Sequence, residues 1–227
     1  MRYNKFAEIL SPARMSRYLT ATNRDTRKTM ALYRLNLKLS QEFFTVISCF
    51  EIALRNKIDE RCIIDYGDDW LRNSAQANGV FDNQNTILTK KNINDAVRQL
   101  GAHYSHNKLV AELGFGFWRY LFASKQYNAM GRILLQIFPS KPTSTPTTQY
   151  NQNYVFNQLA KINKFRNRIA HHEPICFVNA QSVKDSTNAK QHYEIILQLF
   201  QWMNINESKL LYGIDHINKY CTQLDNL

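Results

Sequence analysis

The longest helical pattern in the sequence begins after Asp25 and ends at Gly67. Its apolar residues recur every three or four positions, which places them on one face of an α-helix. Asp25 suits the N-cap position because its carboxylate can accept hydrogen bonds from the free amides of a first helical turn. The pattern predicts either one long helix or two helices with a bend near Ser40. The apolar positions are Met30, Leu32, Tyr33, Leu35, Leu37, Phe43, Phe44, Val46, Ile47, Phe50, Leu54 and Ile58.

Helical spacing continues through most of the remaining chain. Ser11 and Pro12 are typical of a helix start, and Gly101 and Pro174 are typical stops. Only seven glycines and five prolines occur in the 227 residues, which favours helices over a turn-rich sheet fold. Thr89 is a candidate N-cap. Further helices are predicted over about 12–20, 89–100, 117–138, 151–170, 188–203 and 207–224, with another beginning near 107.

The predicted fold class is therefore all-α, a helical bundle in a single domain that spans residues 1–227. The segment PSKPTSTPTT at 139–148 is interpreted as part of a surface loop near 139–150, because neither side of it alone carries an obvious complete core. No apolar run is long enough to span a bilayer. Residues 1–10 lack the apolar core of a secretion signal. We therefore expect a cytoplasmic protein that does not enter a membrane.

The chain carries 29 Lys and Arg residues against 18 Asp and Glu residues, a net charge of +11. A charge of this size favours binding to a polyanion such as RNA, because each neutralised phosphate releases counterions. The alternative is that the charge only maintains solubility. The four cysteines form no Cys-x-x-Cys pair and no zinc-ligand cluster, so they are predicted to be free thiols. No metal or other cofactor is expected.

The segment FRNRIAHHEP at 165–174 concentrates cationic and titratable side chains in the last turns of a predicted helix. Asn167 and His171 are four residues apart and share a face of that helix. Arg166 and His171 are five residues apart, so an ideal helix places them about 140° apart around its axis. A frayed last turn, together with the reach of an arginine side chain, is expected to bring both to one site.

Arginine and histidine together supply the chemistry needed to cleave RNA without a metal ion. A guanidinium presents a fixed fork of donors to phosphate oxygens, and an imidazole moves protons near neutral pH. The nucleophile is the 2′-hydroxyl of RNA, and cleavage leaves a 2′,3′-cyclic phosphate. His171-His172-Glu173 is a poor metal site because adjacent side chains on a helix point apart. The structural alternative is that these cations only interact with the C-terminal end of the helix dipole.

Four segments of the chain resemble those of the Abi-like, AbiD/AbiF-type abortive-infection family of the HEPN superfamily. They are LSP at 10–12, FEIALRNKI at 50–58, LVAELGFGFW at 109–118 and RNRIAHHEPI at 166–175, in the expected order. The resemblance implies a HEPN-like helical bundle with additional helices. It also implies a metal-independent ribonuclease site formed by Arg166, Asn167 and His171. A homodimer with two motifs facing each other across a two-fold axis is implied as well.

Other residues are predicted to support this site. Glu51 and Arg55 lie four apart on a helix and either form an intrahelical ion pair, or Glu51 is buried near the motif and orients Arg166 or His171. Arg168 and His172 are further supporting residues. RNA is expected to bind along basic side chains, with Lys161 and Lys164 nearest to the motif. Basic residues of the N-terminal helices are candidates to guide RNA: Arg14, Arg17, Arg24, Arg27, Lys28, Arg34 and Lys38.

The sequence thus predicts a metal-independent endoribonuclease that acts in antiphage abortive infection, with RNA such as tRNA as its substrate. A second hypothesis is a non-catalytic module that binds, or is regulated by, a dedicated small RNA. A third is a protein-interaction bundle whose charge is incidental. Cleavage by the wild-type chain separates the first two hypotheses, and absence of RNA binding at moderate salt would indicate the third.

Overall fold

The structure, a computed structural model, describes all 227 residues. It contains twelve α-helices, two short 3₁₀ segments at Gly101–His103 and Ile133–Ile137, and no β-strand, which confirms the all-α prediction. No helix is both long enough and apolar enough to cross a bilayer. The helices are α1 (Tyr3–Leu10), α2 (Pro12–Ala21), α3 (Thr26–Tyr66), α4 (Trp70–Asn73), α5 (Ile87–Leu100), α6 (His106–Glu112), α7 (Phe115–Tyr120), α8 (Ser124–Ala129), α9 (Gln152–Ala170), α10 (Thr187–Trp202), α11 (Glu207–Leu210) and α12 (Ile217–Asp225).

The long apolar pattern forms a single helix, α3, which continues over 41 residues without a break near Ser40. Asp25 caps it as predicted, since its Oδ1 accepts from the amides of Arg27 at 2.9 Å and Lys28 at 3.0 Å. The hydrogen bond from the Lys28 amide holds the pKa of Asp25 below its ordinary value. Gly67 ends the helix in the left-handed region, with φ at +86°.

Two predicted helices are wrong because left-handed residues interrupt them. The predicted helix over 117–138 is divided into α7, α8 and a 3₁₀ segment, and Gly131 and Arg132 adopt φ of 64° and 62° before that segment. The predicted helix over 207–224 is divided into α11 and α12, with Gly213 at φ 77° between them. Local backbone conformations of this kind leave little trace in an apolar repeat, because the repeat continues across the turn.

The start of α5 also differs from the prediction. Thr89 lies inside the helix, is buried, and accepts a hydrogen bond from the side chain of Gln126 at 3.2 Å. The helix begins at Ile87, after Thr86. The structure also adds α1 and α4, for which no helix had been predicted.

The helices form two compact units, each made of more than one stretch of chain. The first comprises residues 1–48, 164–197 and 208–227, and the second comprises 49–163 and 198–207. The unit boundaries fall inside α3, α9, α10 and α11, so each of these helices contributes residues to both units. The loop predicted near 139–150 lies within the second unit and contains no helix. The single-domain arrangement stays a prediction.

Each unit has a core of interlocking aromatic rings. In the first unit, the ring of Phe43 packs edge to face on Phe165, with ring centroids 4.8 Å apart, and Tyr18 packs edge to face on Phe177, with centroids 4.9 Å apart. In the second unit, Phe50 contacts Phe200 at 5.2 Å. Such edge-to-face pairs add about 0.5–1.5 kcal/mol each beyond the area that they bury.

The cysteines are free thiols, as predicted, and Cys62, Cys176 and Cys221 are buried. Burial raises the pKa of the Cys176 thiol to about 12. A thiol with a raised pKa stays protonated and is a poor nucleophile. Cys176 is therefore a core residue of the first unit and not a candidate reactive group.

Candidate functional site

The last turns of α9 carry the predicted motif, and one buried aromatic ring sets their orientation. Phe165 packs edge to face on Phe43 at 4.8 Å and stacks on the ring of His192 at 4.2 Å. Because Phe165 points into the core, Asn167 and His171 on the opposite side of the helix are exposed. The helix therefore presents an amide and an imidazole, one turn apart, to solvent.

The sequence predicted that the last turn of α9 is frayed, and this prediction is wrong. The amide of His171 donates to the carbonyl of Asn167 at 2.9 Å, which is the regular hydrogen bond of an α-helix. Helical geometry therefore reaches His171. Arg166, five residues before it and half-buried, lies about 140° away around the helix axis. Within one chain, the side chain of His171 therefore shares a face of the helix with Asn167 and not with Arg166.

A left-handed residue, rather than Pro174, ends the helix. His172 adopts φ 56°. Its amide donates to the carbonyl of Ile169 at 3.0 Å, and the amide of Glu173 donates to the carbonyl of Arg168 at 2.8 Å. This pair of hydrogen bonds defines a Schellman motif, in which glycine is the usual left-handed residue. Histidine is one of the few other residues that occur there with some frequency.

Arginine side chains hold the turn that follows. Arg168 lies 3.3 Å from the Glu173 carboxylate and donates to the carbonyl of Pro174 at 2.6 Å. From α2, Arg14 donates to the carbonyl of His172 at 2.7 Å. Arg168 therefore holds the turn that follows α9, and its supporting role at the predicted site stays a prediction.

The remaining polar side chains of the motif have no partner in the chain. The side chains of Arg166, Asn167 and His171 form no hydrogen bond, ion pair or ring contact. The side chain of His172 is likewise exposed and without a partner. The two arginines at the end of α9 therefore differ: Arg168 is bound to the following turn, whereas Arg166 is available to a ligand.

Glu51 and Arg55 belong to the second unit and are half-buried. The predicted ion pair between them does not form, and Nε of Arg55 is buried without a hydrogen-bond partner. That Glu51 orients the motif stays a prediction. Lys161 is exposed and donates to Gln158 at 3.3 Å, whereas Lys164 is exposed without a partner.

Two basic residues of α2 have a structural role that the sequence did not reveal. Besides the bond from Arg14 described above, Arg17 donates from Nε to the carbonyl of Gln181 and from Nη2 to that of Val178, both at 2.9 Å. Its guanidinium also lies 4.4 Å from the ring centroid of Phe177. Both side chains bind backbone rather than remaining free to guide RNA. Backbone carbonyls leave no mark in a sequence, so only the fold identifies these partners.

No group of three or more His, Cys, Asp or Glu side chains is arranged to hold a metal ion.

Comparison with known proteins gives the family of the chain. A family model described as Abi-like protein matches residues 2–176, from the beginning of α1 to the turn just after the motif. No curated protein and no solved structure matches the sequence. Because the matched residues make up more than half of its length, the chain belongs to the Abi-like protein family, which associates it with abortive-infection defence.

Proposed function

We propose that this chain is a metal-independent endoribonuclease of the HEPN type that acts in abortive-infection defence. One observation carries the proposal: the side chains of Arg166, Asn167 and His171 have no partner in the chain, whereas Arg168 is bound to Glu173 and Pro174. Polar groups left free on a rigid helix end are available to bind and transform a ligand. Their chemistry suits a phosphodiester.

In the proposed reaction, the 2′-oxygen of RNA forms a bond to phosphorus while the bond from phosphorus to the 5′-oxygen breaks. His171 accepts the 2′-hydroxyl proton or donates a proton to the departing 5′-oxygen. Arg166 binds the non-bridging oxygens, where negative charge develops. Asn167, one turn from His171, is available to orient the imidazole or to bind a phosphate oxygen. The products are a 2′,3′-cyclic phosphate and a 5′-hydroxyl end.

A homodimer completes this site. Arg166 and His171 face about 140° apart on one regular helix. A second copy, related by a two-fold axis through α9, brings the histidine of one protomer toward the arginine of the other. Both arginines and both histidines then face one scissile phosphate, and the two histidines serve as base and acid. A two-fold interface of this kind uses the same surface on both chains.

RNA is held by charge around the motif. The net charge of +11, together with the exposed Lys161 and Lys164 on α9, favours contacts with phosphates on either side of the scissile bond. Replacing Lys164 with Gln should weaken RNA binding and reduce its salt dependence by about one counterion.

The test is to incubate purified protein with total RNA and a tRNA pool in EDTA and to map the product ends. Wild type should give 2′,3′-cyclic phosphate ends, and Arg166→Ala and His171→Ala should give none. His103→Ala and Arg98→Ala are matched controls, because His103 is exposed without a partner and Arg98 is exposed on α5. Activity that disappears in EDTA and returns with a divalent ion would overturn the metal-independent mechanism.

A second function is favoured by the regular geometry of α9, which separates Arg166 from His171 within one chain. A monomer of this geometry binds phosphate without cleaving it, as a module that carries or is regulated by a small RNA. Co-purification of one discrete RNA that wild type leaves intact, together with a monomeric mass in light scattering, would favour this function over cleavage.

A further inference from the structure

The second unit contains a small polar cavity beside the N-terminal end of α9. Its volume is about 280 Å³, near the lower end of the range for small-molecule sites. Leu135 is the one aliphatic residue in its wall, and no acidic residue lines it. A cavity with this lining suits a small polar anion better than a metal ion or a greasy ligand. The polar residues that line it are Ser124, Tyr127, Asn128, Arg132, Asn151 and Gln152.

Arg132 gives the cavity an uncompensated positive charge. Its Nε donates to Oδ1 of Asn128 at 3.0 Å, which orients the guanidinium. Its terminal nitrogens have no partner, and it forms no ion pair. A guanidinium held by its Nε presents two parallel N–H groups, the geometry that recognises phosphate oxygens.

Tyr127 supplies a second, independent indication of a ligand. The residue is only 8% exposed, it lines the cavity, and its hydroxyl makes no hydrogen bond in the chain. Burial raises the pKa of this hydroxyl, and the charge of Arg132 counteracts that rise, so the two groups lie close enough to interact. The hydroxyl oxygen itself remains accessible, so it has room for a hydrogen-bond partner in the cavity. A bound anion would provide one.

The N-terminal end of α9 adds further donors. Asn151 precedes the helix, and its Oδ1 accepts from the amide of Tyr154 at 3.1 Å. The amides of Gln152 and Asn153 have no acceptor in the chain. The first turn of a 19-residue helix carries a partial positive charge, which favours an anion at this position.

We infer that this cavity binds a phosphate monoester, as carried by a mononucleotide or by the phosphorylated end of an RNA strand. Arg132 and the free amides of α9 hold the dianionic phosphoryl group, and Tyr127 donates a hydrogen bond to one of its oxygens. The remaining volume accommodates part of a sugar. The inference does not rest on the proposed nuclease function, because Arg166 and His171 belong to the first unit.

The experiment titrates the full chain with inorganic phosphate, AMP and adenosine, by calorimetry and by the NMR signals of arginine Nε–H groups. Phosphate and AMP should bind saturably and shift the Arg132 signal, and adenosine should not. Arg132→Asn, a residue that tolerates the left-handed backbone, should weaken AMP binding by about 10- to 100-fold, as expected for a charge-assisted contact. Tyr127→Phe should weaken it by about 3- to 10-fold. Arg98→Asn makes the same charge change on α5 and should leave binding intact.

Two 2′-O-methylated trinucleotides, with and without a 5′-phosphate, distinguish the sources of the ligand, and they lack the 2′-hydroxyl needed for cleavage. Tighter binding of the phosphorylated trinucleotide than of AMP identifies an RNA end, and equal binding identifies a free mononucleotide. Adenosine binding as tight as AMP, equal weakening by Arg132→Asn and Arg98→Asn, or no saturation up to roughly 10 mM would each overturn the inference. Thermal unfolding checks that every variant is folded.

Discussion

Two adjacent regions of the first unit differ in whether their polar groups have partners within the chain. The motif face, formed by Arg166, Asn167 and His171, has no intramolecular partner at any of its three side chains. The return segment, residues 172–186, follows without a break and is bound to the rest of the unit along its length. Its contacts come from residues distant in sequence, among them Arg14 and Arg17 of α2.

The return segment is held mainly through its backbone. Buried Asn36 of α3 accepts from the amide of Ile175 at 2.9 Å. Lys184 donates to the carbonyl of Asp225 at 2.7 Å, and Ser186 donates to the carboxylate of Asp225 at 2.7 Å. Phe177 and Lys184 form an isolated antiparallel bridge. A segment without helix or sheet satisfies its polar groups in this way.

Arginines that are close together in the sequence therefore differ in whether they have partners within the chain. Arg168 stabilises the turn, and Arg166 two residues earlier remains available. A rigid base beneath a free polar face is what a catalytic or binding site requires, because its groups are then held in position before a ligand arrives. Changes to the motif face should therefore alter activity, and changes to the return segment should alter stability.

The largest expected effect is on the motif face. His171→Ala should lower the rate of RNA cleavage by about 100- to 10,000-fold, the usual contribution of a general acid or base. The free energy of unfolding should change by less than about 0.5 kcal/mol, because the imidazole is exposed and without a partner. Single-turnover cleavage and urea unfolding measure the two quantities. A large loss of stability would show that the motif face is structural.

Removal of Arg168 should have the opposite effect. Arg168→Ala breaks the contacts to Glu173 and Pro174 and should lower the free energy of unfolding by about 1–2 kcal/mol, allowing for partial solvent screening. Arg168→Lys should restore little of it, because an ammonium cannot reproduce the planar fork. Urea unfolding of both variants gives the comparison.

The thiol of Cys176 reports whether the return segment opens. Because burial raises the pKa of this thiol to about 12, the folded thiol stays protonated at neutral pH. The protonated thiol therefore contributes to the free energy of unfolding below the ordinary thiol pKa, and this contribution is lost as the pH rises toward 12. At pH 8, alkylation should require opening of the segment. Arg168→Ala should accelerate alkylation of Cys176 more than that of Cys62, which is equally buried but belongs to the second unit, as measured by mass spectrometry.

Two asparagines extend the same contrast. Asn36→Ala leaves the buried amide of Ile175 without an acceptor and should cost about 1–3 kcal/mol of stability. Asn167→Ala removes an exposed amide without a partner and should leave stability nearly unchanged, while it lowers the cleavage rate if Asn167 orients His171. Equal melting temperatures for the two variants would contradict the division between the regions.

The smallest expected effect concerns the residue where the two regions meet. His172 has a left-handed backbone, a conformation that glycine adopts without steric cost. His172→Gly should therefore raise the free energy of unfolding by about 0.5 kcal/mol, the strain relieved being partly offset by the greater entropy of the unfolded chain. Cleavage should persist, since His172 is not part of the motif face. Loss of cleavage with stability intact would instead assign His172 a role in the reaction.

Much of the fold follows from local sequence. The apolar repeat with Asp25 before it and Gly67 after it predicted both ends of α3 but left open one helix or two, and α9 was predicted to within one residue at its start and at its end. These signals are local, because helix formation depends on spacing and on caps within a few residues. Residue types suggested phosphate recognition and proton transfer at the end of α9, and the resemblance to the Abi-like family selected Arg166, Asn167 and His171 as the candidate site.

Only the tertiary structure separated the roles within that site. Sequence spacing treats Arg166 and Arg168 alike, and it placed Arg14 and Arg17 among surface cations. Which guanidinium stays free depends on the carbonyls that the folded chain brings near it, and backbone carbonyls are the same at every residue. The left-handed turns at His172, Arg132 and Gly213 were missed for a related reason. Such a turn is stabilised by contacts distant in sequence, whereas the apolar repeat records only which side of a helix is buried.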